Sequence, residues 1–348
     1  MSLINLLKKK NSTKLFTTPS HSGKFFIYHK FRHFYKSDIS ETDTHNPQDA
    51  LEKAQRKAAE IYGTKQTHFL TNGSTSGIHA AVLSCVKAGE KVLLWNNAHP
   101  SHLNAVKLAG ATPVFYELPL NTDWGVPAST PPELIEDFLA KNDIKAVIIT
   151  SPTYEGYVSD IKSIKAVCSR YNTILIVDEA HGALYPFSDE LPESAVKIAD
   201  FTIQSLHKTA GGLNPTALLH VNCGIDAKKA LSMITTTSPS YPLLATIEAN
   251  INYLNSKRCK KQINNLVSSI KDLRAACQNC KFGGDDITKI LVKVDNLSGF
   301  QLSELLYDDF GIEDEITNDK STMLLCGIGT DSKKIDALKR ALIKISKL

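Results

Sequence analysis

The sequence predicts an α/β protein with a mainly parallel seven-stranded sheet, helices on both of its faces, and a small α+β domain towards the C-terminus. Between residues 67 and 222, short apolar runs alternate with helix-length amphipathic segments. Runs that are apolar throughout are typical of strands covered on both faces, as in parallel sheets. The candidate strands are residues 68–71, 91–95, 113–118, 145–150, 173–178, 200–205 and 217–221. In such sheets ligands bind at the carboxyl ends of the strands, so functional residues are expected there.

Helical patterns connect most of these candidate strands. Residues 132–141 and 161–171 are amphipathic and long enough for crossover helices. The last two candidate strands are separated by too few residues for such a helix, which indicates that the strand at 217–221 is antiparallel. Residues 243–276 contain no proline or glycine and predict one long helix that bridges to a second unit.

The second unit combines strand and helix patterns. Strands are predicted at 290–294 and 322–326, with a helix near 301–307 and a terminal helix from Ser332. We therefore expect a basic N-terminal arm (1–45), a large domain (46–242), and a bridging helix with a small C-terminal domain (243–348).

The charge distribution singles out the N-terminal arm. The chain has a net charge of +4, with 42% hydrophobic and 22% charged residues, which is ordinary for a globular protein and does not favour a nucleic-acid partner. Residues 1–37, however, carry eight Lys and Arg residues and no acidic one. This arm is predicted to be solvated and to clasp a partner subunit, with contact to an anionic surface as the alternative.

Localisation and cysteine usage point to a cytoplasmic protein. No apolar run approaches the length of a membrane span, and the apolar opening of the chain is too short for a signal peptide. The seven scattered cysteines are expected to be reduced thiols. Cys277 and Cys280 form a single C-x-x-C without a second pair or a nearby histidine, so no metal site is expected.

Two polar clusters at strand ends suggest an anion site and a buried charge. Residues 72–77 (NGSTSG) follow a candidate strand and open a helix, where backbone N–H groups can hold a phosphate, although turn chemistry alone would also use these residues. Asp178 ends an apolar strand, so its carboxylate needs a cationic partner unless it simply caps a helix.

A third cluster contains a candidate nucleophile. Lys208 lies at a strand end beside His207 and is flanked by hydroxyl side chains. A lysine in this position can form a Schiff base with an aldehyde. A surface lysine is the alternative, but it would not explain the neighbouring pattern.

Residues 178–181 also spell DEAH, a sequence of nucleic-acid helicases. A helicase needs a G-x-x-x-x-G-K-[ST] loop upstream to hold the nucleotide phosphates. The only Gly-Lys pair before Asp178 is Gly23-Lys24, which is followed by Phe25 and lacks the earlier glycine. The helicase interpretation is therefore excluded.

These clusters belong to an ordered series of motifs that spans well over half of the chain. The motifs occupy residues 18–21 (TPSH), 43–47 (DTHNP), 72–77, 97–99 (NAH), 150–154 (TSPTY), 178–182 (DEAHG), 205–209 (SLHKT) and 237–241 (TSPSY). The series resembles the ornithine/lysine/arginine decarboxylase family. This resemblance implies pyridoxal 5'-phosphate (PLP) as cofactor and the aspartate-aminotransferase fold, known as fold type I.

The resemblance also implies roles for individual residues. Lys208 would hold PLP covalently, and Asp178 would keep the pyridine nitrogen protonated. His99 would stack on one face of the ring and Ala180 would pack on the other, while His181 would lie near the phenolic oxygen or the substrate. The phosphate would be bound by Ser74, Thr75, Ser205 and His207, with Thr237 or Ser238 supplied by a partner subunit. From the residues alone, His99 could equally be a loop histidine with local hydrogen bonds.

Two departures from the family pattern bear on the substrate site. Pro100 stands where the family usually has a lysine after the stacking histidine. Family members also carry a further C-terminal domain that helps to shape the substrate site, so we expect this chain to be a short form without it.

The expected function is decarboxylation of lysine, ornithine or arginine by a PLP-dependent homodimer with active sites at the subunit interface. Its catalytic residues would be Lys208, Asp178, His99 and His181, with Glu155 as a candidate for binding the substrate's cationic side chain. An aminotransferase or another lyase on the same fold is an alternative. Aminotransferases usually bind the α-carboxylate with an arginine of the small domain, but residues 323–327 contain none and Arg340 lies on the predicted terminal helix. A non-catalytic dimerisation partner is a second alternative, which the intact lysine, aspartate and phosphate loop disfavour.

Overall fold

The computed structural model describes residues 14–16, 50–237 and 239–347. Most of the expected basic arm, and Ser238 of the expected phosphate site, lie outside the described residues. The division of the chain at residues 45 and 242 stays a prediction.

The elements of the described residues follow the alternation expected from the sequence. The strands are β1 (Lys14–Leu15), β2 (Gln66–Leu70), β3 (Lys91–Trp95), β4 (Thr112–Tyr116), β5 (Leu120–Asn121), β6 (Val126–Pro127), β7 (Ala146–Thr150), β8 (Ile174–Asp178), β9 (Phe201–Ser205), β10 (Ala217–Val221), β11 (Cys280–Gly283), β12 (Lys289–Val294), β13 (Ile312–Glu313), β14 (Ile316–Thr317) and β15 (Thr322–Leu325). The α-helices are α1 (Ala50–Tyr62), α2 (Gly73–Cys85), α3 (Pro100–Leu108), α4 (Pro132–Lys141), α5 (Ile161–Arg170), α6 (Leu206–Thr209), α7 (Lys228–Ile234), α8 (Tyr241–Leu254), α9 (Lys257–Ala276), α10 (Gly299–Phe310) and α11 (Ser332–Ile345).

The large sheet has seven strands in the order β2-β10-β9-β8-β7-β3-β4. The five strands from β9 to β4 are parallel, whereas β10 is antiparallel to both of its neighbours. The mainly parallel sheet and the antiparallel strand at 217–221 are therefore confirmed. Because β2 is antiparallel to β10, it runs in the same direction as the parallel strands. Six strands thus end at one edge of the sheet, which is where the candidate site lies.

Alternate residues of each strand enter cores on opposite faces of this sheet. In β7, Ile148 belongs to the core under α2, α3 and α7, whereas Val147 and Ile149 belong to the core under α4 and α5. Side chains of successive strand residues point to opposite faces, so an uninterrupted apolar run fills both cores at once. This double burial explains why the strands read as continuous apolar runs.

The predicted bridging helix is two helices, not one. Helix α8 ends at Leu254 and α9 begins at Lys257, with Ser256 as its N-cap. The Ser256 hydroxyl donates to the Tyr253 carbonyl (2.6 Å) and accepts from the Cys259 N–H (3.1 Å). A serine can thus satisfy the backbone groups of both helix ends, so the break needs neither proline nor glycine.

The second sheet is antiparallel, in the order β11-β12-β15-β14. Strands β12 and β15 and helices α10 and α11 confirm the elements expected in this part of the chain, whereas β11 and β14 were not predicted. One face packs against α9, α10 and α11. The other face contacts the β5–β6 hairpin, where Val126 packs with Leu291, Met323 and Leu325. Strand β1 joins this unit by pairing in parallel with β13, and the next residue, Phe16, is fully buried in its core.

All seven cysteines are free thiols, as expected. Cys277 lies just after α9 and Cys280 begins β11, and both are buried.

Candidate active site

The carboxyl ends of the central strands bring the expected site residues to one edge. Asp178 is the last residue of β8 and Ser205 is the last residue of β9. Thr150, at the end of β7, is opposite Asp178 in the sheet register. Helices α2 and α3 begin just after β2 and β3 at the same edge. The strand order reverses direction between β3 and β7, and such a point opens a crevice for ligands.

Asp178 is a buried carboxylate whose partner is a histidine that the sequence reading missed. Its Oδ2 lies 2.9 Å from Nε2 of His102, and its Oδ1 accepts from the Ala180 N–H at 3.1 Å. Burial alone would raise the pKa of Asp178, but the hydrogen bond and charge of His102, with Lys208 nearby, hold that pKa below its usual value. Asp178 is therefore poised to stay ionised inside the protein.

His102 follows His99 by one helical turn, and this spacing was the signal that could have revealed it. Both lie at the start of α3, so their side chains project on one side of the helix. Nδ1 of His102 is buried without a hydrogen-bond partner among the described residues. Because a carboxylate can only accept, Nε2 of His102 carries a proton and donates it to Asp178.

His99 has the local hydrogen bonds that a loop histidine would make. It is the N-cap of α3, and its Nδ1 accepts from the Ser101 N–H (3.2 Å) and lies 2.8 Å from the Ser101 hydroxyl. Burial lowers the pKa of His99, an effect that Asp178 opposes and Lys208 reinforces. The ring is thus fixed, close to both residues, and neutral at pH 7. Its stacking on a cofactor stays a prediction.

Lys208, in the short helix α6, lies in a chain of three basic side chains. Its Nζ is 2.9 Å from Nε2 of His181, and Nδ1 of the same ring is 2.9 Å from Nζ of Lys289. His181 is 5% exposed and Lys289 is fully buried. Burial, with Lys208 and Lys289 as neighbours, lowers the pKa of His181 well below its usual value, so the ring is neutral.

The neutral ring restricts the protonation of its two neighbours. A neutral imidazole has one N–H donor and one acceptor nitrogen, whereas a protonated lysine can only donate. One of the two lysines must therefore be an uncharged amine that accepts the imidazole proton. Burial lowers the pKa of Lys208, although Asp178 and Glu315 partly oppose it. Burial also lowers the pKa of Lys289 to about 8.

Residues 72–77, the candidate phosphate loop, open a helix as the sequence predicts. Gly73 opens α2 at φ 73°, a left-handed conformation that glycine adopts without strain, and its N–H donates to the Pro215 carbonyl at 2.7 Å. Ser74 and Thr75 lie in the first turn, and the N-cap residue Asn72 makes no side-chain capping bond. Backbone N–H groups at this helix start are thus left for an anion.

At the end of β9, Ser205 supplies an unsatisfied hydroxyl. Its Oγ is buried and has no hydrogen-bond partner among the described residues. Nδ1 of His207 lies 3.2 Å from the Thr216 carbonyl, which fixes the ring. A buried hydroxyl without a partner is costly, so its presence indicates a polar ligand group at this position.

Carboxylates from two separate segments approach the two lysines. Oε1 of Glu315 accepts from the Tyr154 hydroxyl (2.5 Å), and the Tyr154 ring lies edge-on to His181 with centroids 4.8 Å apart. Oε2 of Glu155 is buried and has no hydrogen-bond partner in the described part of the chain. Burial raises the pKa of Glu155, while its backbone hydrogen bond and Lys289 oppose this rise. The site therefore contains two carboxyl groups besides that of Asp178.

Glu179, the second residue of the DEAH sequence, stabilises the fold through hydrogen bonds of its carboxylate. Its carboxylate accepts from the Ser194 hydroxyl (2.6 Å), the Ala195 N–H (2.7 Å) and the Gln204 amide (2.6 Å). Burial raises the pKa of Glu179 to about 7 in spite of these donors. The contacts tie the segment after β8 to β9 and so support the neighbouring Asp178 and His181.

Of the remaining expected site residues, one is buried beside Asp178 and one is exposed. Ala180 is buried beside Asp178, in keeping with a position under a flat ligand. Thr237 is exposed, and its expected neighbour Ser238 lies outside the described residues. Lys289 and Glu315 were missed by the sequence reading. The only signal for Lys289 is a charged residue at the start of an apolar strand, and no local pattern marks Glu315.

The fold defines a class. It is that of PLP-dependent enzymes of fold type I. The structure of the Escherichia coli constitutive lysine decarboxylase matches with a TM-score of 0.80 at 20% identity, covering 92% of this chain and 55% of that one. The structure of an SPT with PLP matches with a TM-score of 0.74 at 15% identity, covering 96% of this chain and 87% of that one.

Sequence similarity narrows the class to a family. A family model described as Orn/Lys/Arg decarboxylase, major domain, matches residues 2–303. The arginine decarboxylase of Halalkalibacterium halodurans is 31% identical over 327 residues, which are 88% of this chain and 67% of that relative. This chain belongs to the Orn/Lys/Arg decarboxylase family. It spans about two thirds of that relative's length, so the activity of that relative is only proposed for this chain.

None of the helices among the described residues is long and apolar enough to cross a bilayer.

Proposed function

We propose that this protein decarboxylates a basic amino acid with PLP bound at Lys208, releasing the amine and CO2. The observation that carries the proposal is the contact of the Lys208 Nζ, whose pKa burial lowers, with the His181 ring near the buried Asp178 carboxylate. A lysine must be unprotonated to attack an aldehyde, and an ionised carboxylate is needed to keep a pyridine nitrogen protonated.

The residues present fit PLP. The orphaned Ser205 hydroxyl and the uncapped start of α2 provide donors for a phosphate, to which Ser74, Thr75 and His207 would add. When bound, PLP supplies a protonated ring that accepts the electrons left behind by CO2. Asp178 would hold the ring nitrogen, His99 and Ala180 would pack against the ring faces, and His181 would donate a hydrogen bond beside Lys208.

Glu155 and Glu315 would bind the cationic end of the substrate. Both charges act on Lys289, and Glu315 also acts on Lys208, so they lie within electrostatic range of the reacting amine. The unpartnered Oε2 of Glu155 is the atom best suited to receive an ammonium or guanidinium group. Arginine is the first substrate to test, because the similar Halalkalibacterium halodurans protein is an arginine decarboxylase.

The test is incubation of the purified protein with PLP and, separately, arginine, lysine and ornithine, followed by mass spectrometry of the products. The expected products are amine and CO2, and they should be absent with Lys208→Ala. Borohydride reduction should place the pyridoxyl group on Lys208. Keto acids in place of amines would establish the aminotransferase alternative, and label on another lysine would refute the site.

The chain is also proposed to form a homodimer whose sites are completed across the interface. Thr237 supports this proposal, because it follows α7 and is exposed in the single chain. Light scattering over a range of dilutions measures the mass. A monomer that retains full activity would refute the shared site.

A further inference from the structure

Tyr154 is a partly exposed tyrosine to which the proposed reaction gives no role. Its ring lies edge-on to the His181 ring, with centroids 4.8 Å apart, and its hydroxyl donates to Oε1 of Glu315 at 2.5 Å. His181 in turn contacts the Nζ of Lys208 at 2.9 Å. One aromatic side chain thus connects the Glu315 carboxylate, which lies 161 residues away in the chain, to the ring beside the proposed nucleophile.

The loop that carries Tyr154 is held by backbone hydrogen bonds. The Thr153 N–H donates to the Tyr157 carbonyl at 2.8 Å, and the Gly156 N–H donates to the Thr153 carbonyl at 3.1 Å. The Gly156 carbonyl accepts from the N–H groups of residues 285 and 286, at 2.8 and 2.9 Å. The Tyr154 ring therefore projects from a loop that is bonded both to itself and to the C-terminal part of the chain.

The hydrogen bond from Tyr154 restricts the side chain of Glu315. The backbone of Glu315 is fixed by its N–H, which donates to the Met323 carbonyl at 2.9 Å. A glutamate side chain has several rotatable bonds, and ordering such a side chain when a ligand binds costs free energy. Burial, together with the hydrogen bond to Glu315, raises the pKa of Tyr154, so the phenol stays protonated and donates. A carboxylate has about four acceptor sites, so one phenol does not saturate it.

We propose that Tyr154 is a positioning residue whose phenol holds the Glu315 carboxylate in the orientation that receives the cationic end of the substrate. This inference rests on the proposed function, which assigns Glu315 to that cation, and it adds the residue that orders the carboxylate beforehand. Without the phenol, the substrate itself must order Glu315, so cationic ligands bind more weakly. A phenol that competed with the substrate for the carboxylate would have the opposite effect, because its removal would strengthen binding.

The test is isothermal titration calorimetry of the PLP-loaded protein with agmatine, cadaverine and putrescine, the amines that decarboxylation of arginine, lysine and ornithine would give. Pentylamine, which has no charge at its far end, is the reference probe. Tyr154→Phe should raise the Kd of the dication that binds most tightly by roughly two- to tenfold, the effect of ordering one long side chain. The Kd of pentylamine should not change. Tyr157→Phe is the control, because it removes a phenol from the same loop whose hydroxyl accepts from Asn121 instead.

A double-mutant cycle tests whether the effect passes through Glu315. If Tyr154 acts through that carboxylate, Tyr154→Phe should add nothing to the loss of affinity caused by Glu315→Gln. In turnover, Tyr154→Phe should raise KM for the cationic substrate and leave kcat unchanged. The variant is expected to fold, because Tyr154 is 38% exposed and phenylalanine keeps the ring against His181.

An unchanged or lower Kd for the dication in Tyr154→Phe, or losses that add in the double variant, overturns the inference and leaves the proposed function standing. Wild-type protein that binds none of the dications more tightly than pentylamine refutes the proposed substrate class instead, and the role of Tyr154 with it. These two failures are distinguishable, because the second is seen in the wild type before any variant is made.

Discussion

At the scale of single residues, the His102–Asp178 pair determines the charge at the centre of the site. Both side chains are buried. Their hydrogen bond is the largest of the effects that lower the pKa of Asp178 against the rise caused by burial. His102 would act on the proposed cofactor only through Asp178, so its effect should be visible in properties that do not depend on turnover.

We predict that His102→Leu destabilises the protein at pH 7 more than at pH 4. Because the pKa of Asp178 is depressed in the folded state, its ionisation contributes stability above the unfolded pKa that is lost as pH falls through the folded value. Without His102, burial dominates, and the free energy of unfolding at pH 7 should fall by about 2–3 kcal/mol because the ionised carboxylate has lost its partner. Urea unfolding at both pH values measures the difference. His102→Gln, which keeps a donor, should lose less, and equal losses at the two pH values would contradict the argument.

Asp178→Asn should retain PLP but reduce kcat on the order of 100-fold. The amide has almost the shape of the carboxylate, but it cannot keep a pyridine nitrogen protonated, while the phosphate donors are untouched. Cofactor content by absorbance and initial rates of amine formation are the measurements. Normal turnover would show that Asp178 has a structural role only.

The two added carboxylates should affect substrate affinity more than the rate of the bound complex. Glu155→Gln and Glu315→Gln are each expected to raise KM for the cationic substrate by about tenfold, because an amide cannot pair with its charge. The control is Glu304→Gln, at an exposed position of α10. A fall in kcat with unchanged KM would assign these residues to the chemical step instead.

At the scale of elements, the break between α8 and α9 depends on one side chain. Ser256 bonds to the end of one helix and the start of the next. Ser256→Ala should lower the free energy of unfolding by about 1 kcal/mol, the usual effect of losing an N-cap. Ser256→Asp should restore most of it by accepting from the same N–H. Denaturant melts provide the measurement, and the control is Ser232→Ala, an exposed serine that bonds only within α7.

The strands could be predicted from the sequence because each apolar run fills two cores at once. The break after Leu254 could not, because a serine is common inside helices and becomes a cap only when tertiary packing turns the chain. Lys208 and Asp178 were visible because they interrupt apolar strand ends. Lys289 was not, because it joins the site through contact with His181, 108 residues away in the chain. Contacts of this kind have no local pattern.

At the scale of the whole molecule, a shared site can be tested by mixing inactive subunits. Lys208→Ala lacks the covalent lysine, and a double variant of Thr237 and Ser238 to alanine lacks the hydroxyls expected in the partner's phosphate site. Co-refolding the two should restore about a quarter of the activity, because half of the dimers are mixed and one of their two sites is intact. No recovery from a confirmed mixed dimer would place these hydroxyls outside the partner's site.

The pairing of β1 with β13 affects how the chain is made. The Phe16 N–H donates to the Glu313 carbonyl and its carbonyl accepts from the Leu325 N–H, so its place exists only after both segments have left the ribosome. At typical rates of synthesis, about 300 residues and roughly 15–60 s separate the emergence of Phe16 from that of its partners. During this interval an apolar segment near the N-terminus has no native partner, and it is available to chaperones or to neighbouring nascent chains. The C-terminal core can therefore be completed only after residue 325 has emerged, however early the central sheet forms.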